Sequence, residues 1–185
     1  MTQLATKIWT YDDYLTLPDD GNRYEIIEGE LYVSPAPNTD HQYSSGELHF
    51  VLKEFVRRNQ LGVVYYAPYE VHLSEDTRPV QPDLLFIRAD NEPQGGTSYF
   101  VGIPDLVIEI LSKSSIRTDN NTKFNAYEKA GIPEYWIVDP KAHTVRVFVL
   151  EAGIYQVWGE YGGEEVITSK VLAGLEIVTN TLFKQ

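Results

Sequence analysis

The stretch YEIIEGELYVS, residues 24 to 34, alternates apolar and polar positions on either side of Glu28-Gly29, which predicts a β-hairpin closed by a short loop. Before it, Thr10 to Leu17 reads as a short helix: Thr10 caps it, Tyr11, Tyr14 and Leu15 give an apolar face, and Pro18 stops it. The prolines of SPAPN end the hairpin, and Thr39 or Asp40 then caps a long helix reaching about Asn59. Leu48, Val51, Leu52, Phe55 and Val56 recur at helical spacing on one side of it, opposite Glu47, Lys53, Glu54 and Arg57. VVYYAP, EVHLS, QPDLLFIRA and PDLVIEILS follow as strands, four in a row, with NEPQGGTSYFVG read as the loop between the last two.

A second helix is predicted from about Thr118 to Ala130, capped by Thr118 or Asp119, stopped by Gly131 and Pro133, with Phe124 and Tyr127 turned inward. EYWIVDP, TVRVFVL, IYQVW and tail strands complete the chain. Helix, hairpin, helix, strands, helix, strands is the order of an α/β or α+β fold, a mixed central sheet with helices packed on its faces. No repeat, low-complexity stretch or Pro/Gly-rich linker divides the 185 residues, so one domain over 1–185 is expected.

The chain has no cysteine, which excludes a disulfide framework and a thiolate metal site. Apolar runs such as Val145 to Leu150 stop short of a membrane span, and MTQLATKIWT lacks a signal-peptide pattern, so the expected location is cytoplasmic. The formal net charge of -12, from 15 Lys and Arg against 27 Asp and Glu, repels nucleic acid at long range and counts against a DNA-coating role. It still permits a local basic groove beside an acidic metal site, because exposed charges screen one another beyond about 8 Å at physiological salt.

The chemistry concentrates in PDLVIEILSKSS, where one carboxylate, Glu109, interrupts an otherwise apolar strand. A buried ionised carboxylate without a cationic partner costs several kcal/mol or more, so this pattern demands a cation. If LLFIR and DLVIEI are antiparallel neighbours, counting about five residues away from the connecting loop along each strand brings Asp83 and Glu109 to one level of the sheet. Converging carboxylates repel unless a proton or cation lies between them, and Mg²⁺ takes such oxygen ligands. Phosphodiester hydrolysis also calls for a nearby ammonium. Leu111, not a lysine, stands two residues past Glu109; Lys113 keeps the parity but lies about 13 Å along the strand, beyond its expected end. Lys123, one helical turn before Tyr127 on the helix that leaves this strand, is the better candidate.

QPD at 81 to 83, PDLVIEILSKSS, the helical Lys123 and GIPEYWIVDP at 131 to 140 resemble the restriction-endonuclease-like PD-(D/E)XK superfamily. The closer likeness is to a large bacterial family of uncharacterised restriction-endonuclease-like proteins whose motif lysine has migrated onto the following helix. The resemblance implies a restriction-endonuclease-like core. It makes Asp83 and Glu109 metal ligands, the Ile110 carbonyl a third, and Lys123 the catalytic lysine. Glu25 and His41 also match family positions: Glu25 as a further carboxylate, His41 for phosphate binding or proton transfer. The implied cofactor is Mg²⁺ or Mn²⁺, and the implied substrate nucleic acid, DNA first.

Simpler readings stand beside these. Glu109 is a buried ion pair with a Lys or Arg; His41 bonds the backbone at a helix start; Glu25 faces solvent on its hairpin; Lys123 is an exposed helix lysine. Tyr65, Tyr66 and Tyr69 read as sheet-packing residues rather than a base-stacking platform. At the level of function, the rivals to a nuclease are a catalytically silent domain that binds nucleic acid or protein, and a homodimer paired through the late strands.

Overall fold

The computed structural model describes residues 7–34, 36–73, 79–93, 95–112 and 118–184. The opening helix α1 is confined to Tyr11–Tyr14, with a reciprocal capping box between Thr10 and Asp13. Strands β1 (Arg23–Ile27) and β2 (Glu30–Ser34) pair antiparallel, Ile27 opposite Glu30. Glu28 (φ 49°) and Gly29 (φ 88°) both take left-handed conformations, the requirement of a two-residue hairpin loop that follows the twist of its strands. Helix α2 covers Thr39–Arg58; its cap is Asn38, whose side chain accepts from the His41 backbone N–H, rather than Thr39 or Asp40. Leu48, Leu52 and Val56 are its buried stripe.

Then come β3 (Gly62–Tyr66), β4 (Glu70–His72), β5 (Leu84–Arg88), β6 (Tyr99–Val101) and β7 (Leu106–Ile110). The second predicted helix divides into a π-helical turn over Thr118–Lys123 and α3 (Phe124–Ala130), ended by Gly131 in the left-handed conformation. After it lie β8 (Glu134–Asp139), β9 (Thr144–Glu151), β10 (Ile154–Gly162), β11 (Val166–Thr168) and β12 (Glu176–Val178).

The main sheet is six-stranded and mixed, in the order β10-β9-β8-β7-β5-β3, with β7 and β8 parallel and the other neighbours antiparallel. The parallel pair follows from the chain between them: α3 returns it to the starting edge, as a crossover must. The row of four strands expected from the sequence is not one sheet. Strand β4 leaves it and pairs in parallel with β6, a three-residue strand inside the segment read as a loop. Three residues supply too short an alternation to be separated from loop sequence.

Period-two alternation divides the central strands between two cores. Leu84, Phe86, Leu106, Ile108 and Ile110 face α2 and the C-terminal strands; Leu85, Ile87, Val107 and Leu111 face Tyr127 and the Ile27 hairpin. Glu109 shares its parity with Val107 and Leu111, so the fold turns it toward α3.

Candidate active site

Glu109 lies in a strand buried along its whole length and is itself fully buried. The cation that its position demands is Lys123. Its Nζ is 2.9 Å from Glu109 Oε1, and the Tyr127 hydroxyl donates to the same oxygen at 2.7 Å. Lys123 and Tyr127 are four residues apart, hence neighbours on one helical face. Lys123 is 1% exposed, so it is not an ordinary surface lysine.

The same ammonium lies 3.0 Å from Glu25 Oε1. Glu25 is buried, contrary to the solvent-facing reading, and Oε1 also accepts from the Gln81 backbone N–H at 2.8 Å. Gln81 is held in turn by Nε2 donating to Tyr14 Oη at 3.0 Å, and the Tyr14 hydroxyl donates to Glu70. Helix α1 thereby braces the segment that carries Asp83.

The β5 and β7 register pairs Leu84 with Ile108 and Leu85 with Val107; one step further out, Asp83 comes level with Glu109, as counted from the sequence. Asp83 Oδ2 accepts from the Ile110 backbone N–H at 2.8 Å and from His41 Nε2 at 3.1 Å. Oδ1 accepts from Arg23 Nη1 at 2.7 Å. The structure thus brings Asp83, Glu109, Lys123, Glu25, His41 and Ile110 into one cluster. Lys113, the alternative lysine, lies outside the described residues.

Burial raises the Asp83 pKa, but the His41 hydrogen bond and the Arg23, His41 and Lys123 charges more than offset it, holding the carboxyl well below the usual range. Arg23 shows the converse: burial opposes its charge, and Glu25, Asp83 and Glu109 overcome that and keep the guanidinium ionised. Burial, followed by the Glu109 and Glu25 charges, pushes the Tyr127 phenol well up, so it remains a proton donor to Glu109.

Two residues of the cluster escape sequence reasoning. Arg23 stands two positions before Glu25 on β1, and that spacing alone would have put a guanidinium and a carboxylate on one strand face. Gln81 carries no comparable signal, because its partners Glu25 and Tyr14 are more than fifty residues away.

Beside the cluster opens a cleft of about 970 Å³. Asp83, Arg23 and His41 line it together with Tyr14, Tyr24 and Tyr66, while Glu109 and Lys123 lie behind this wall. The donors suit a hard divalent ion in kind, since the Asp83 and Glu109 carboxylates offer oxygen ligands. As arranged, no three Asp, Glu or His side chains among the described residues gather where they could hold an ion.

The Uma2 family pattern, described as "Putative restriction endonuclease", matches residues 11–180 and so takes in the whole cluster. The chain belongs to the Uma2 family. A solved Anabaena variabilis protein, described as a "putative nuclease belonging to DUF820", superposes with a TM-score of 0.79 over 94% of this chain and 97% of that one. At 22% identity that likeness shows the fold alone, and the Uma2 match makes it a restriction-endonuclease-like one. No curated protein matches the chain. No helix of the described residues of this Uma2 member is long and apolar enough to cross a membrane.

Proposed function

We propose that this Uma2 protein is a metal-dependent endonuclease that hydrolyses phosphodiester bonds of nucleic acid, with DNA as the substrate and water as the nucleophile. The observation that carries this reading is a buried set of carboxylates, Glu25, Asp83 and Glu109, of which Glu25 and Glu109 are bridged by an ammonium from the following helix. The matched family is described as an endonuclease, which supports nuclease chemistry generally.

In this reading Asp83, Glu109 and the Ile110 carbonyl hold Mg²⁺ or Mn²⁺. Such an ion, when bound, supplies a water of lowered pKa and neutralises a phosphate oxygen. Lys123 bridges Glu109 and Glu25, offsets their mutual repulsion and supplies positive charge beside the metal-binding carboxylates. Tyr127 fixes the Glu109 rotamer. His41 lies in the cleft wall, with Nε2 donating to Asp83 and a buried Nδ1 without a partner among the described residues; its role in this reading is phosphate binding or proton transfer. Incubation with supercoiled and branched DNA in Mg²⁺ or Mn²⁺ tests the reading: chelator-sensitive cleavage is expected, and cleavage unchanged by Asp83→Ala would refute it.

One observation favours a second reading, a catalytically silent binding domain: Asp83 is already engaged by a guanidinium. A silent domain would show no Mg²⁺ affinity dependent on Asp83 and Glu109.

A further inference from the structure

The carboxylate oxygen of Asp83 that an ion would need is the one an arginine holds. Oδ2 is fixed from behind by the Ile110 N–H and by His41, which leaves Oδ1 as the oxygen for a ligand, and Oδ1 receives Arg23 Nη1 at 2.7 Å. A divalent cation and a guanidinium cannot occupy the same side of one carboxylate, because their mutual repulsion in a poorly solvated site outweighs what either gains by sharing it. Without Arg23, the buried carboxylates Glu25, Asp83 and Glu109 would outnumber the Lys123 ammonium three to one. A cation at this place therefore stabilises the fold before any metal arrives.

We propose that Arg23 is the resident counter-ion of the metal-free site, holding Asp83 Oδ1 until a divalent cation displaces it. This rests on the metal-dependent reading above and adds to it a residue and an exchange. The guanidinium has a place to go. Its Nε already lies 3.7 Å from Glu25 Oε2, two positions along the same strand face, so the side chain pivots onto Glu25 without losing a carboxylate partner. Its remaining contact, Nη1 to the Gln81 carbonyl, is long at 3.3 Å. Its side chain is 21% exposed and lines the cleft, whereas that of Asp83 is 3% exposed. Once turned off Asp83, the planar fork faces the cleft, where its donor geometry matches two oxygens of an incoming phosphodiester. Metal entry and substrate binding are coupled in this way through one side chain.

The experiment is Mn²⁺ binding by calorimetry to the wild-type chain, Arg23→Gln and Asp83→Asn, together with melting temperatures in chelator and in Mn²⁺. Arg23→Gln is expected to bind Mn²⁺ at least tenfold more tightly than wild type. It should melt several degrees lower in chelator and recover that loss in Mn²⁺. Asp83→Asn should abolish binding. If Arg23→Gln binds Mn²⁺ no more tightly than wild type while Asp83→Asn still abolishes binding, the counter-ion role is overturned and the metal site stands. If neither wild type nor Arg23→Gln binds Mn²⁺, the metal-dependent reading falls and takes this one with it. Should Arg23→Gln not fold, the Arg23 Nε–H resonance of the wild-type protein, assigned with Arg23→Lys, reports directly. Its displacement and faster solvent exchange in step with Mg²⁺ addition support the exchange, and an unmoved signal at saturating Mg²⁺ overturns it.

Discussion

Lys123 Nζ stands 2.9 Å from Glu109 Oε1, so the ammonium that answers a carboxylate in the middle of β7 comes from the next helix and not from the same strand. The bland reading of Glu109 as half of an ion pair and the catalytic reading therefore describe one geometry. The Lys123 ammonium favours the charged form of Glu109, the form in which a carboxylate would serve as a metal ligand in the function proposed above.

Lys123→Met leaves Glu109 and Glu25 buried without that ammonium. A loss of about 3–5 kcal/mol is expected, the usual consequence of removing one partner from a buried pair. For a chain of this size that lowers the melting temperature by roughly 10 °C. Glu109→Gln keeps the Lys123 contact with Glu25, so a smaller loss of about 1–3 kcal/mol is expected. Melts in chelator measure both; a Glu109→Gln protein as stable as wild type would mean that Glu109 is strained in its place.

Tyr127→Phe removes one buried donor to a charged oxygen, and about 1.5–3 kcal/mol of stability should go with it. Tyr127 lies outside the lining of the cleft, so kcat should fall while KM for DNA stays near the wild-type value. A rise in KM with kcat unchanged would place Tyr127 in substrate binding instead.

The cluster was legible in the sequence where strand parity governs it, and obscure where distant segments do. Counting outward from the loop between β5 and β7 brings Asp83 level with Glu109 because antiparallel register is arithmetic once the neighbours are chosen. Lys123 was within reach because the helix carrying it leaves directly from β7. The burial of Glu25 was not: it depends on Gln81 and Lys123 arriving from segments about sixty and one hundred residues away, which alternation within the hairpin does not encode. The Arg23 contact with Asp83 was hidden for the same reason, and β6 was too short to be distinguished from its loop.

The alkaline limb of the stability curve should report Tyr155, whose hydroxyl donates to the Ile132 carbonyl at 3.0 Å. Burial, then the Glu128 charge, raises its pKa in the folded state. The folded value lies above the unfolded one of about 10, so its stabilisation is complete below about pH 10 and is lost as the pH rises toward the folded value. Tyr155→Phe should cost about 1 kcal/mol at neutral pH and flatten the decline above about pH 10. Urea melts across that range check it; an equally steep decline in the variant would assign the alkaline loss to other groups.

A crystal soaked in Mn²⁺, read by anomalous scattering, tests the central claim most directly. The account predicts a single strong peak within about 2–2.5 Å of oxygens from both Asp83 and Glu109, with Arg23 turned away from Asp83. Saturating Mn²⁺ with no peak between those carboxylates, and Arg23 still on Asp83 Oδ1, would contradict it.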